Sequence, residues 1–160
     1  MGCGKTTVGK LLAKQLGCKC IDLDDYIEQQ AGMSIPEIFS QKGEPYFREL
    51  ETKALTDLAA VGAVVATGGG ALLSDKNGEV AKSSGLAVFI DTDFDTCYDR
   101  IKDDPHRPIA ASSTKEQLKE RFDSRRPLYM AHSHSSVSGD AAPLAIAAEI
   151  AGLYKDRFGR

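Results

Sequence analysis

The 160-residue sequence predicts an α/β fold, a parallel sheet doubly wound between layers of helices, on three observations. Helix-spaced and strand-like segments alternate along most of the chain. The strand candidates at 63–67 and 86–90 are continuously apolar rather than alternating, as strands covered on both faces are. The chain also opens on a glycine-rich turn that leads straight into a helical pattern.

Taken in order, Val8, Leu11, Leu12 and Leu16 recur at helical spacing, and Gly17 stands where such a helix stops. Cys20 and Ile21 make a short apolar approach to the acidic residues Asp22, Asp24 and Asp25. Phe47, Leu50, Ala54, Leu55 and Leu58 trace an amphipathic helix. The apolar run 63–67 follows as a buried strand and ends in three glycines. A second buried strand at 86–90 precedes a helix carrying Phe94, Cys97, Tyr98 and Ile101. Residues 103–113 hold Pro105 and Pro108 without apolar period, which reads as a surface loop or lid. Arg125 closes a helix just ahead of Pro127, and the last helix carries Ile146, Ile150, Leu153 and Tyr154. A chain of this length suits one domain, 1–160.

Hydrophobic residues at 42% and charged residues at 27% give an ordinary globular balance, not a disordered one. A net charge of −3 calls for no nucleic-acid or acidic-membrane surface, so an anionic substrate needs a few placed cations. No apolar stretch reaches the roughly 20 residues that span a bilayer, and the N-terminus has no signal-like segment. Cys18 and Cys20 form a C-x-C pair with no second pair or histidine cluster to complete a zinc site. Together with Cys3 and Cys97 they read as free thiols of a reducing cytoplasm.

The chemistry begins at Gly2-Cys3-Gly4-Lys5-Thr6-Thr7, the back half of a G-x-x-x-x-G-K-[ST] phosphate loop. Glycines let successive N–H groups turn inward onto phosphate oxygens, and the following helix adds its positive end. Lys5 then reaches the outer phosphates and the Thr6 hydroxyl is placed for Mg²⁺. A chance Gly-Lys-Thr in a flexible terminus is the plain alternative, but the helix starts where the motif demands it. The motif's first glycine, and the strand that should precede it, would lie upstream of Met1, so the native protein is expected to extend there. Asp22, Asp24 and Asp25 follow an apparent strand, where α/β sheets bind ligands. Asp22 or Asp24 as a helix cap is the competing use. Gly68, Gly69 and Gly70 after a strand leave bare backbone for a bound molecule, or merely a sharp turn. Arg48 and Arg125 each offer the planar fork that holds a carboxylate, although either alone reads as a solvated surface residue. Arg107, between prolines, is placed like a cation closing over phosphates.

These segments resemble the shikimate kinases from residue 1 to about 129. The matching pieces are Gly2-Cys3-Gly4-Lys5-Thr6-Thr7, Ile21-Asp22-Leu23-Asp24, Phe47-Arg48-Glu49-Leu50-Glu51, Thr67-Gly68-Gly69-Gly70, Arg107-Pro108-Ile109 and Arg125-Arg126-Pro127-Leu128-Tyr129. The resemblance implies a P-loop NTPase-type sheet of strand order 2-3-1-4-5, its first strand absent from this numbering. It implies ATP and Mg²⁺, and transfer of the γ-phosphate to the 3-hydroxyl of shikimate in aromatic amino-acid biosynthesis. By position, Gly2, Cys3, Gly4, Lys5, Thr6 and Thr7 would bind the nucleotide, Thr6 would hold Mg²⁺, and Asp22 would touch the metal through water. Arg100 would lie against adenine and Arg107 would reach the phosphates from the lid. Asp24 would bind the acceptor hydroxyls and take the reacting proton. Arg48 and Arg125 would clamp the carboxylate beside Gly68, Gly69 and Gly70. The family lacks a Walker-B aspartate, and residues 63–70 here have none. The adenine loop matches poorly, because residues 137–143 contain no arginine. The expected state is a monomer. Two rivals stand beside this reading: a kinase for gluconate or a nucleoside monophosphate, and a silent nucleotide-binding module.

Overall fold

Gly4 ends the opening turn in the left-handed region (φ 84°), and α1 (Lys5–Leu16) starts at the next residue. The structure, a computed structural model, describes residues 2–103 and 113–159. Gly17 closes α1, with the Cys18 N–H returning to the Ala13 carbonyl at 3.0 Å. Strand β1 (Cys20–Asp22) runs into α2 (Leu23–Ala31), whose N-cap is Asp22: its carboxylate accepts from the Asp24 N–H at 3.0 Å. Helix α3 (Ile35–Lys42) begins on a reciprocal Ser34–Glu37 capping box, and α4 (Glu44–Leu58) follows directly. Strand β2 (Val64–Ala66), the glycine triplet, a 3₁₀ turn (Ala71–Leu73) and α5 (Asp75–Ser84) come next. Then come β3 (Val88–Asp91), α6 (Phe94–Ile101), α7 (Lys115–Ala131), β4 (Ser135–Ser138) and α8 (Pro143–Phe158).

The described strands form two parallel pairs, β1 with β2 and β3 with β4. They match the outer pairs, 2-3 and 4-5, of the expected order. Cys20 pairs with Val64 and Asp22 with Ala66, so the carboxyl ends of β1 and β2 finish level. That register brings the residues after Asp22 beside the residues after Ala66. Two cores flank the sheet pairs. Val8, Leu12, Ile90, Val137, Ile146 and Ile150 lock α1 and α8 onto β3 and β4. Leu23, Ile27, Ile38, Phe47, Leu55 and Leu58 join α2, α3 and α4. Each such side chain contributes about 1.5–3 kcal/mol on burial. A third cluster of Phe94, Ile101 and Leu118 joins α6 to α7.

Three elements escape the periodicity reading: α3, α5 and β4. Strand β4 is polar except for Val137, the residue of it that is buried. Helix α7 corrects another expectation, because Arg125 does not end it. The helix runs through Pro127 to Ala131. Proline has no N–H for the Asp123 carbonyl, a loss of about 3 kcal/mol in a helix interior. Contacts of the last turn to the rest of the protein oppose that loss: Arg126 on Asp91, Tyr129 on Gly69 and His132 on Leu72. The lid expectation, with Pro105, Arg107 and Pro108, lies outside the described residues. Among the described residues no helix is long and apolar enough to cross a membrane.

Candidate active site

At the phosphate loop, Gly2 (φ 69°) and Gly4 (φ 84°) both take left-handed backbone that L side chains resist. A Cβ on Gly2 would stand 2.5 Å from the Cys97 carbonyl oxygen, so this loop lies directly on α6. Arg100 of α6 donates from Nη1 to the Gly2 carbonyl at 3.1 Å. The first turn of α1 carries Lys5 and Thr6, no acidic residue and no side-chain cap. Its N–H groups and helix dipole therefore present a positive end suited to an anion. Beside it a cleft of about 260 Å³ is lined by Cys3, Gly4, Thr7, Arg100, Gly139 and Pro143.

Across the ends of β1 and β2 the side chains change sign and purpose. Asp24 sits against Gly68: a Cβ there would lie 2.6 Å from Asp24 Oδ1. Arg48 lies against Gly70, where a Cβ would collide with its guanidinium. From α4 that guanidinium donates to Glu51 at 2.7 Å and to Glu44 at 2.8 Å. Glu51 is 1% exposed, which makes its ion pair with Arg48 the buried one. The triplet is braced from below, since Asn77 donates to the Ala71 carbonyl at 2.8 Å and accepts from Thr52 at 2.6 Å. From the far side, α7 brings the Tyr129 hydroxyl onto the Gly69 carbonyl and the Arg125 guanidinium beside that hydroxyl.

Burial, then the neighbouring Asp22 carboxylate, pushes the Asp24 carboxyl above the ordinary aspartate range, while Lys5 pulls it partly back. The Glu51 carboxyl also lies high, through burial against which the Arg48 pair works only partly. Burial raises the Tyr129 phenol, and Arg125 opposes that rise. Asp24 is therefore more basic than a surface aspartate and close enough to Lys5 to feel its charge.

A sequence profile of the family described as Shikimate kinase matches residues 1–154. The chain belongs to the shikimate kinase family. It is 40% identical over 140 residues to the shikimate kinase of Macrococcus caseolyticus, covering 88% of this chain and 83% of that one. The Persephonella marina shikimate kinase is 39% identical over 156 residues, 97% and 94% of the two chains. Among solved structures, the shikimate kinase from Acinetobacter baumannii in complex with shikimate superposes with a TM-score of 0.88 at 36% identity. That match covers all of this chain and 91% of the other. The Aquifex aeolicus enzyme gives 0.84 at 36% identity, covering 100% and 95%.

Shikimate kinases use ATP with Mg²⁺, and the residues present fit that pair. Among the described residues no group of three or more histidine, cysteine or carboxylate side chains could cage a metal. A nucleotide-borne Mg²⁺ needs only one or two protein oxygens, its other ligands being phosphate and water. The Thr6 hydroxyl and the Asp22 carboxylate could supply such oxygens, although one Asp22 oxygen is already committed to capping α2.

The structure thus brings Asp24, Arg48 and Gly68–Gly70 together directly, and Arg125 through Tyr129. Lys5, Thr6 and Arg100 gather at the phosphate loop, and Arg107 lies outside the described residues. Four supporting residues carried no assigned role from sequence: Glu51, Asn77, Tyr129 and His132. Glu51 had a readable signal, a charge three residues after Arg48 on the same helix face as Phe47, Leu55 and Leu58. Asn77 and His132 gave none, because their partners lie in other elements.

Proposed function

We propose that this chain transfers the γ-phosphoryl group of ATP to the 3-hydroxyl of shikimate. The observation that carries the reading is the convergence of Asp24, Arg48 and the glycine triplet at the level ends of β1 and β2, next to the Lys5 phosphate loop. Asp24 binds the acceptor hydroxyl and takes its proton; a carboxyl raised by burial suits that exchange better than an exposed one. Arg48 and Arg125 grip the acceptor carboxylate, which fixes the hydroxyl in line with the phosphorus. Glu51 and Glu44 engage three of the five N–H groups of Arg48, which leaves two for the acceptor. Lys5 and Arg107 neutralise the charge that spreads over the transferring group. Thr6 would hold Mg²⁺ and Asp22 would touch it through water, and the ion would add further charge neutralisation. Gly2, Cys3, Gly4 and Thr7 line the nucleotide phosphates and Arg100 borders the adenine, across the cleft from Gly139 and Pro143.

The whole of 1–160 acts as one kinase domain, a monomer of the cytoplasm. Four free cysteines suit that setting, and size-exclusion chromatography of the free chain tests the monomer. The deciding assay is ADP release from ATP and Mg²⁺ with shikimate, gluconate, a nucleoside monophosphate or no acceptor. Strong stimulation by shikimate alone supports the reading. Equal rates with every acceptor, or turnover with none, would remove it.

A further inference from the structure

We propose that Tyr129 is a positioning residue that fixes Arg125 and the glycine triplet to one another. The inference rests on the acceptor site proposed above and adds a residue to it. Arg125, Tyr129 and His132 stand at i, i+4 and i+7 on α7, and so share one face of that helix. That face meets the segment just after β2. Tyr129 donates its hydroxyl hydrogen to the Gly69 carbonyl. Arg125 stands one turn earlier on that face, near enough for its charge to act on the phenol. The Tyr129–Gly69 hydrogen bond therefore ties the turn of α7 that follows Arg125 to the triplet. It sets how far Arg125 stands from the triplet. Burial holds the phenol protonated, which keeps it a donor across the working pH range.

The ring itself is placed by packing rather than by the hydroxyl, since it lies against Phe89 of β3 with centroids 5.6 Å apart. Helix α7 has further anchors of its own. His132 meets the Leu72 carbonyl at 2.8 Å and Asp75 at 3.1 Å, and Arg126 pairs with Asp91. Removing the Tyr129 hydroxyl should thus leave α7 docked and loosen only the Arg125–triplet spacing. Two arginines hold one acid on this reading, so a small shift of Arg125 breaks a bidentate contact.

The test compares Tyr129→Phe with His132→Gln, using steady-state kinetics for both substrates and thermal unfolding. Tyr129→Phe is expected to raise KM for shikimate about tenfold and leave KM for ATP within about twofold, about one factor of ten in binding. His132→Gln is expected to lower the melting temperature without that selective change. An unchanged shikimate KM in Tyr129→Phe, or equal rises for both substrates, overturns the inference. The same selective rise in His132→Gln overturns it too, because general loosening of α7 would then suffice. A wild-type chain whose ADP release ignores shikimate overturns the acceptor reading and this inference with it. A responsive wild type with an indifferent Tyr129→Phe overturns the inference alone.

Discussion

The phosphate end and the acceptor end of the site are built by different means. The phosphate end is local: six consecutive residues supply two left-handed glycines, a helix N-terminus, a lysine and two hydroxyls. Its geometry follows from backbone conformation, so little else must be in register for it to form. The acceptor end draws on α2, α4, the β2 exit and α7, and nothing in any one of them makes a site alone. It exists because β1 and β2 end level and because the buried Glu51 holds the half-exposed Arg48 in place. The first kind of site tolerates distant change and fails abruptly when a member is lost. The second is graded, and its failures should show in KM for one substrate.

The largest expected effect tests the local half. Lys5→Met should reduce kcat by about a hundred- to a thousandfold, the scale of losing one preorganised charge at a transition state. Circular dichroism should remain native, since Lys5 is a first-turn residue outside both cores. A variant keeping more than about a tenth of the wild-type rate would remove Lys5 from the chemistry.

Arg125→Lys comes next and tests the distributed half. Lysine keeps the charge and loses the fork, so shikimate KM should rise by about tenfold or more while ATP KM stays put. A change confined to ATP would assign Arg125 to the nucleotide instead.

The glycine triplet sharpens the comparison further. At Gly70 a Cβ meets the movable end of Arg48, while at Gly69 nothing lies within 4 Å. Gly70→Ala should displace the guanidinium and raise shikimate KM about fivefold to tenfold, with a small change in melting temperature. Gly69→Ala should leave the melting temperature unaltered, so any loss of shikimate affinity there reports a ligand against bare backbone. If Gly70→Ala leaves shikimate KM unchanged, the Arg48 placement described above does not matter for the acceptor.

The smallest effect concerns pH. Asp24 has a folded-state pKa above its ordinary value, chiefly through burial. Between those two values the folded chain binds more protons than the unfolded one, so stability falls as pH rises through that window and stays lower above it. Asp24→Asn should therefore raise the melting temperature slightly at neutral pH and leave it nearly unchanged at pH 3. The same substitution should lower kcat and erase the acid limb of the kcat profile, because the amide accepts no proton. Unaltered kcat with weaker shikimate binding would leave Asp24 a positioning residue.

Much of this was legible beforehand, for a physical reason in each case. The phosphate loop, α1, the apolar strands β2 and β3 and the Arg48 helix all declare themselves through short-range pattern, although of the two strands only Ala66 and Ile90 are buried. Helix α3 escaped because its signal, Ser34 with Glu37, is one of capping rather than of periodicity. Strand β4 was not legible, since a polar run becomes a strand here only by pairing with β3. Pro127 misled for the opposite reason: local sterics end a helix, while the contacts of Arg126, Tyr129 and His132 carry this one onward.

By itself, then, the sequence determined the chemistry available: one phosphate cradle, the carboxylates Asp22 and Asp24, and the arginines Arg48, Arg100, Arg107 and Arg125. The tertiary structure decided which of them meet. The parallel register of β1 and β2 set Asp24 against Gly68, buried Glu51 turned Arg48 onto Gly70, and α7 brought Tyr129 onto Gly69 with Arg125 one turn before it. Those contacts join residues up to 60 positions apart, and their geometry comes from packing and register that no local pattern encodes.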